Sequence, residues 1–590
     1  MWLLGELAVT LRNEVAGEPR YVAYHWAVIL ATPFLLLAIN PNLFINPNTN
    51  AYVDPWHYTG FFLSLPDHLI VFGRSYYATR LSWLLPGYAV HQVFSPLVAN
   101  YILHVGFFYL LLSAVYCLIT TGVNRTTAFI VTLLVAWNPQ VIASMSWDYV
   151  DGAVMTYSAG ALLFLEKASS SVTRRAYWAV AAGAALACMV VANLVAATLV
   201  PICCLFLLLR VSLPRWKTAV SILLVAALGS AATLALLGYA NWELGGQWLF
   251  LKPSLDYAGA RLWVPSPYDV KGVAWLTDAH FLVLQAAASL AAVLALASRQ
   301  RNLDSFAGIV QLIFVVASGW WVVHSTLWTH SIHVSYYTSY LVPLGLIALP
   351  LTPDSPLARL GSVRRRDAVT LELVTLGGLI GAHLLVFRWG DLSWSAASRA
   401  LVAAFPDAEP INAISAFAIC AVALVSIRFV RSRWLQWPAF VLTLWIAYGS
   451  PPGYFVRADA PGVKEDFAIV VSAHRYLWEH LDNNRTLAMW YALAPDEKRP
   501  FRSIASTYLW AWRLVNENLP MLNEKEATDM LTPDGQLVLL VPDAGDADAV
   551  KGALRKFDYD FTPREQKQFG PATASFWVVV GDLSRTNKAE

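Results

Sequence analysis

A succession of long apolar runs constrains this chain more than any other feature, because each is close to the length at which an α-helix crosses a bilayer. A helix rises about 1.5 Å per residue, so about 20 apolar residues span the roughly 30 Å hydrocarbon layer. Lipid offers no partner to a bare peptide group, so such runs must be helical. They predict about thirteen transmembrane helices, at 23–40, 98–119, 127–145, 151–166, 176–192, 194–210, 217–239, 279–298, 306–323, 332–350, 368–388, 411–428 and 435–449. Composition agrees: 57% of the residues are hydrophobic and 14% charged, with a mean hydropathy of +0.51, which is too apolar for a soluble globular chain. A net charge of +2 gives no field that points to nucleic acid. Cys117, Cys188, Cys203, Cys204 and Cys420 all fall inside apolar runs, as small hydrophobes rather than a disulfide or zinc framework. Residues 1–20 are interfacial in character and lack a short apolar core with a small-residue cleavage site, so no cleaved signal peptide is expected.

Short cytoplasmic loops collect Lys and Arg, which gives an orientation. Alternate connections carry Arg125; Lys167, Arg174 and Arg175; Arg210, Arg215 and Lys217; Arg299 and Arg301; Arg359, Arg364, Arg365 and Arg366; and Arg428, Arg431 and Arg433. The intervening short loops 146–150 and 324–331 carry no Lys or Arg. The N-terminus is therefore expected inside, and an odd helix count puts the C-terminus outside. Three long segments then face outward: 41–97, 240–278 and everything beyond about 450. The chain divides into a transmembrane domain, 1–450, and an extracytoplasmic α/β domain, 451–590. An amphipathic helix pattern at 464–481 and strand-like runs at 536–541 and 576–580 define the latter.

Residues able to carry chemistry cluster in the outward segments. In V-D-P-W-H-Y, Asp54 and His57 follow the first span by a short interval, and Pro55 stops any helix from continuing through Asp54. A partly desolvated carboxylate at a membrane surface can take a proton; the alternative is a solvated Asp that caps the next helix. Arg74 and Arg80 in F-G-R-S-Y-Y-A-T-R lie where orientation signals disfavour them, and could grip phosphate oxygens or simply snorkel. The short loop S-M-S-W-D-Y-V-D-G holds Asp148 and Asp151, which share a face if a helix starts there. Capping by Asp148 would account for one of these acids but not for both. Lys252 and Arg261 stand among aromatics in the third outer segment, with Asp256, Asp269, Lys271 and Asp278. His324, His330 and His333 fit no metal-binding spacing and read as a solvated cluster. A phosphate-cradling glycine loop and a G-x-S-x-G elbow are both lacking, so chemistry driven by ATP or a serine nucleophile has no support.

The acid of V-D-P-W-H-Y, the long first outer segment, the W-D-Y-V-D-G acids and the outer C-terminal domain together resemble the glycosyltransferase C superfamily of polytopic, lipid-phosphate-sugar-dependent enzymes. The D-P-W-x-Y string is similar to the first acidic motif of oligosaccharyltransferase catalytic subunits. The helix count and small α/β tail look more like the aminoarabinose and mannosyl transferase branches, and the tail lacks a W-W-D-Y-G-like acceptor motif. The resemblance implies an enzyme of the bacterial inner membrane with its site on the extracytoplasmic face. It implies a polyprenyl-phosphate sugar donor and a lipid, glycan or protein acceptor, with inversion at the anomeric carbon. Asp54, Asp148 and Asp151 would form the catalytic set, with His57, Arg74, Arg80, Lys252 and Arg261 available to substrate and phosphate. A divalent cation, magnesium or manganese, bridging Asp54 with Asp148 or Asp151 is one way to neutralise the phosphate. A cationic side chain is the other. A transporter of lipid-linked intermediates would concentrate its ionisable residues at mid-membrane, whereas these concentrate at outer helix ends. A polysaccharide polymerase or ligase would carry its large loop late in the chain.

Overall fold

The computed structural model describes residues 19–45, 54–211, 215–263, 305–324, 335–348, 365–388 and most of 458–491 and 531–586. The helices are α1 (Pro19–Ile39), α2 (Asp54–Leu63), α3 (Leu65–Phe72), α4 (Leu81–Val93), α5 (Pro96–Thr120) and α6 (Arg125–Ala136). Then come α7 (Pro139–Met145), α8 (Asp151–Ser170), α9 (Arg175–Ala192), α10 (Val200–Val211), α11 (Trp216–Glu243) and α12 (Lys252–Trp263). The series ends with α13 (Phe306–His324), α14 (Val342–Ala348), α15 (Arg365–Arg388), α16 (Val463–His480) and α17 (Ala544–Arg555). Among the described residues seven helices are long and apolar enough to cross a membrane, or eight if one bent pair counts as a single span. The runs expected at 279–298, 411–428 and 435–449 lie outside the described residues.

The bent pair is α6 and α7, which meet at 62° where the sequence anticipated one straight span, 127–145. Asn138 explains the break. Its side chain accepts from the backbone N–H of Gln140 (3.0 Å) and Val141 (3.2 Å), starting a new helix, while Pro139 cannot continue the old one. The turn 146–150 that follows is thereby tucked into the protein, and every residue in it is buried. Asn193 makes a second break. It ends α9 and caps a 3-10 turn, Leu194–Leu199, that leads into α10.

Without a hydrophobic force between lipid-solvated helices, close packing has to come from small residues. Helices α9 and α11 meet at two glycines: a Cβ on Gly183 would lie 1.8 Å from the Ala226 carbonyl oxygen, and one on Gly229 would lie 2.6 Å from that of Val180. Gly183→Val is therefore expected to lower the melting temperature of the purified protein, with a destabilisation of about 1–3 kcal/mol or more because backbone rather than a flexible side chain is in the way. A melting temperature equal to that of the parent protein would contradict this packing. Polar groups add a second joint. Tyr21 donates to Glu372 Oε1 (2.5 Å), His25 stands 3.2 Å from the same oxygen, and His25 Nδ1 meets the Tyr116 hydroxyl at 2.9 Å, linking α1, α5 and α15.

The segment 41–97, expected from the sequence to be the first outer segment, folds as helices over most of its described residues rather than as an open loop. Residues 55–62 of α2 are all buried, which is what a helix apolar on every side requires. One cover is the C-terminal domain: Ile45, Trp56, Val463, Phe467, Val470 and Val471 form one apolar cluster between α2 and α16. That domain holds a sheet of β1 (Leu487–Tyr491), β2 (Gln536–Val541), β3 (Tyr559–Phe569) and β4 (Phe576–Arg585) in the order β1-β2-β4-β3. The β1–β2 pair is parallel and the others antiparallel. Strand β2 is apolar from Leu537 to Val541 because both faces are covered there. Leu537, Leu539 and Val541 pack with Val550 and Leu554 of α17, and Val538 and Leu540 face the cluster that holds Tyr476 and Leu477 of α16.

Three buried histidines line the contact between the first outer segment and α16. His57 and His68 come from the former and His474 from the latter; the His68 and His474 rings lie 6.5 Å apart. Burial lowers all three basicities, pushing His57 and His474 from 6.5 to about 3 and His68 well below its ordinary value. Each imidazole is neutral when docked and protonated when released, so the contact is fully favoured above pH 6.5 and is lost as pH falls towards 3. Limited proteolysis across that window is expected to show residues around α16 becoming accessible before the bundle does; uniform protection down to pH 3 would contradict it.

Candidate active site

Helix α2 begins at Asp54, where Pro55 fits the first turn without a backbone N–H to satisfy. The carboxyl accepts a hydrogen bond from the Tyr77 hydroxyl (2.6 Å), with the Tyr149 side chain close enough to favour its ionised form. Tyr149 stands between Asp148 and Asp151, and Asp148 accepts from Thr59 of α2, so acids from two separate connecting segments converge. Burial pushes the Asp54 carboxyl above its ordinary range, against the pull of Tyr77, Arg80 and Tyr149.

Arg80 occupies the centre. It lies just before α4 with 6% of its surface exposed, and donates to the Tyr58 hydroxyl. Its guanidinium carbon sits 5.4 Å from the ring centre of Tyr58, 5.2 Å from Tyr76, 5.6 Å from Tyr77 and 5.4 Å from Tyr149. Among the described residues it forms no ion pair within 4 Å. The cage therefore surrounds the cation with ring faces and one hydroxyl but no formal negative charge at contact distance among the described residues. Asp54 and Asp151 both lie within electrostatic reach of it.

The two acids of the short loop differ. Asp151 is the first residue of α8 and is fully buried; its Oδ1 accepts from the Tyr340 hydroxyl at 3.0 Å. Its Oδ2 accepts no hydrogen bond among the described residues, although the Trp147 indole lies beside it. Asp148 is a joint. Its Oδ2 accepts from Thr59 (2.5 Å) and Asn100 (3.4 Å), and His104 Nε2 meets Oδ1 at 2.8 Å, which ties α2 and α5 to the loop. Val150 stands at the start of α8 with no side-chain cap, so the capping expected of Asp148 does not occur.

The remaining residues singled out from the sequence stand apart from this centre. His57 is buried in an aromatic wall, its ring edge-on to Phe61, Phe72 and Tyr77. Arg74 is exposed. Lys252 is exposed as well, with its ammonium 2.5 Å from Asp256. Arg261 belongs to α12, and its side chain lies outside the described residues, as do His330 and His333. Helix α12 still reaches the centre through Ser254, 2.5 Å from the Thr79 hydroxyl, and Tyr257, stacked on Tyr76 at 4.7 Å. The tyrosines are what the sequence reading missed; Tyr58, Tyr76, Tyr77 and Tyr149 recur in both outer segments.

No family model matches the sequence, and no curated protein matches it either. Two solved structures of ArnT from Cupriavidus metallidurans, one bound to undecaprenyl phosphate and one in the apo state, each superpose with a TM-score of 0.51 at 12% identity. Each covers 95% of this chain and 98% of that one. The chain has the glycosyltransferase C fold. An archaeal oligosaccharyltransferase, AglB from Archaeoglobus fulgidus in complex with an inhibitory peptide and a dolichol-phosphate, matches at 12% identity with a TM-score of 0.39 over 94% of this chain and 74% of that one.

Proposed function

We propose that this chain is a membrane glycosyltransferase that moves a sugar from a polyprenyl-phosphate donor to a lipid, glycan or protein acceptor, on the face that the basic-residue pattern makes extracytoplasmic. The observation that carries the reading is Arg80: a buried guanidinium caged by tyrosines, lacking a carboxylate partner within 4 Å among the described residues and flanked by Asp54 and Asp151. A site of this kind is complete when a phosphate enters it, since guanidinium and phosphate match in charge and geometry. One fixed charge suits one phosphate. The acceptor hydroxyl or amine attacks the anomeric carbon from the side opposite the phosphate. The carbon–oxygen bond to phosphate breaks with its electron pair, which Arg80 stabilises, and an ionised carboxylate takes the acceptor's proton. The configuration at the anomeric carbon inverts. The undecaprenyl phosphate named for one ArnT structure is the same chemistry in that protein.

A magnesium or manganese ion between Asp54 and Asp151 is the other means of neutralising the phosphate; loss of turnover in EDTA, restored by either ion, would favour it over Arg80 alone. Purified protein in lipid nanodiscs, given a panel of synthetic undecaprenyl phosphates carrying a pentose, an aminopentose or a hexose together with an envelope extract as acceptor, is expected to release undecaprenyl phosphate from at least one. Envelope glycolipids and polysaccharides from cells with and without the gene, compared by mass spectrometry, should differ by that sugar. No release from any donor combined with an unchanged envelope would sink the reading.

A further inference from the structure

The Asp151 carboxylate is oriented by residues distant in sequence, and the chemistry of one amide fixes the direction of every proton between them. Asn193 sits where α9 breaks, and its Oδ1 accepts the backbone N–H of Val195 at 3.1 Å. A backbone N–H can only donate, so that atom is the oxygen and the other is the amide nitrogen. The nitrogen lies 2.8 Å from the Tyr340 hydroxyl oxygen. It can only donate in turn, so the tyrosine oxygen accepts and its own proton goes to Asp151 Oδ1, 3.0 Å away. Asn193 and Tyr340 are each 3% exposed and Asp151 is fully buried, so bulk water does not compete for these bonds. Burial pushes the Asp151 carboxyl well above its ordinary range, and a chain whose donors all point one way opposes that by favouring the ionised carboxylate at its end.

We propose that Asn193 and Tyr340 are positioning residues that hold Asp151 oriented through Oδ1, so that its Oδ2 aligns the acceptor hydroxyl or amine whose proton Asp54 takes; this rests on the reading of the site given above. Other groups act on Asp151 from neighbouring elements. They are Arg80 and Asp54 from the first outer segment, Trp147 from the turn before α8, and Tyr337 from the turn that precedes Tyr340. None of them replaces the donor at Oδ1.

Asn193→Asp tests the direction of the chain with almost no change in shape. Its carboxylate can still accept from Val195 but has no proton for Tyr340, whose hydroxyl then donates to residue 193 and deserts Asp151. With whichever donor the synthetic panel selects, Asn193→Asp and Tyr340→Phe should each reduce kcat about 10- to 100-fold, the scale of one hydrogen bond to a charged group. Donor KM should change by no more than about threefold, and the acidic limb of the pH–rate profile should move to higher pH in both. Because both substitutions remove the same proton from Asp151, the double variant should be no slower than Tyr340→Phe alone. Asn193→Asp turning over at the parent rate with an unmoved acidic limb overturns the relay, as does a double variant whose losses multiply. Tyr340→Phe keeps the ring that packs 6.1 Å from Trp321, so it provides a folded test even if the asparagine variant is lost. Asp151→Asn separates the two readings. Full turnover in that variant overturns the role of Asp151 itself, whereas an inactive Asp151→Asn beside a fully active Tyr340→Phe overturns the relay alone.

Discussion

Asp54→Asn is expected to lower kcat about 1000-fold while changing donor KM by no more than about threefold, because a positioned general base contributes roughly 10²- to 10⁴-fold. The amide is nearly isosteric and can still accept from Tyr77, so the fold survives while the basic oxygen is lost. The carboxyl is raised by burial, so the acidic limb of kcat/KM should lie above the ordinary carboxylate range: the reactive ionised form disappears as pH falls through that raised value. Tyr77→Phe removes a donor to the carboxylate and should move the limb further up. Asp148→Asn should behave differently. Its two oxygens hold Thr59, Asn100 and His104 together, and disrupting a buried pair of this sort costs about 3–5 kcal/mol, so yield and melting temperature should drop. Equal kinetic losses in Asp54→Asn and Asp148→Asn, with no difference in stability, would refute this division of roles.

That division shows where the sequence stops being legible. Apolar run length gave the bundle, since a helix in lipid has no alternative partner for its backbone; α5, α9, α11 and α13 fall within a few residues of the expected spans. The run 536–541 was equally plain, because a strand covered on both faces is continuously apolar after its first residue, Gln536. Strand β3 was hidden for the opposite reason. Most of Tyr559–Phe569 is polar, it lies at the sheet edge, and its register shifts between Pro563 and Glu565, so neither alternation nor a continuous apolar run marks it. At the site, V-D-P-W-H-Y and W-D-Y-V-D-G supply the acids that stand nearest Arg80 in the electrostatics of the fold. What could not be read was burial. Arg74 and Arg80 sit six residues apart in one segment, yet the first is exposed and the second is enclosed by four tyrosines that come from three different stretches of chain. Asp148 and Asp151 are only three residues apart, and the turn that follows the bend at Asn138 decides which is a joint and which heads α8 within electrostatic reach of Arg80. The relay through Asn193 joins three positions far apart in sequence, whose proximity depends on a helix break that reads from sequence as a mere gap between two apolar runs.

Arg80→Met should reduce kcat/KM roughly 1000-fold or more and abolish measurable retention of undecaprenyl phosphate by the purified protein, since transition-state charge on a leaving phosphate has no other buried cation near it among the described residues. Stability should move the other way or not at all. Among the described residues the buried guanidinium has one hydrogen bond and four ring faces and no carboxylate at contact, and an apolar side chain of similar length avoids its desolvation cost. A melting temperature equal to or above that of the parent, together with lost turnover, is the signature of a cation kept for its ligand rather than for the fold. Arg80→Lys retains the charge but offers neither a planar fork nor the same stacking on Tyr58, Tyr76, Tyr77 and Tyr149, so it should recover binding more fully than turnover. Addition of undecaprenyl phosphate should raise the melting temperature of the parent protein and of Arg80→Lys, but not that of Arg80→Met. Stabilisation of Arg80→Met to the same extent as the parent would place the phosphate elsewhere and remove the central charge from the mechanism.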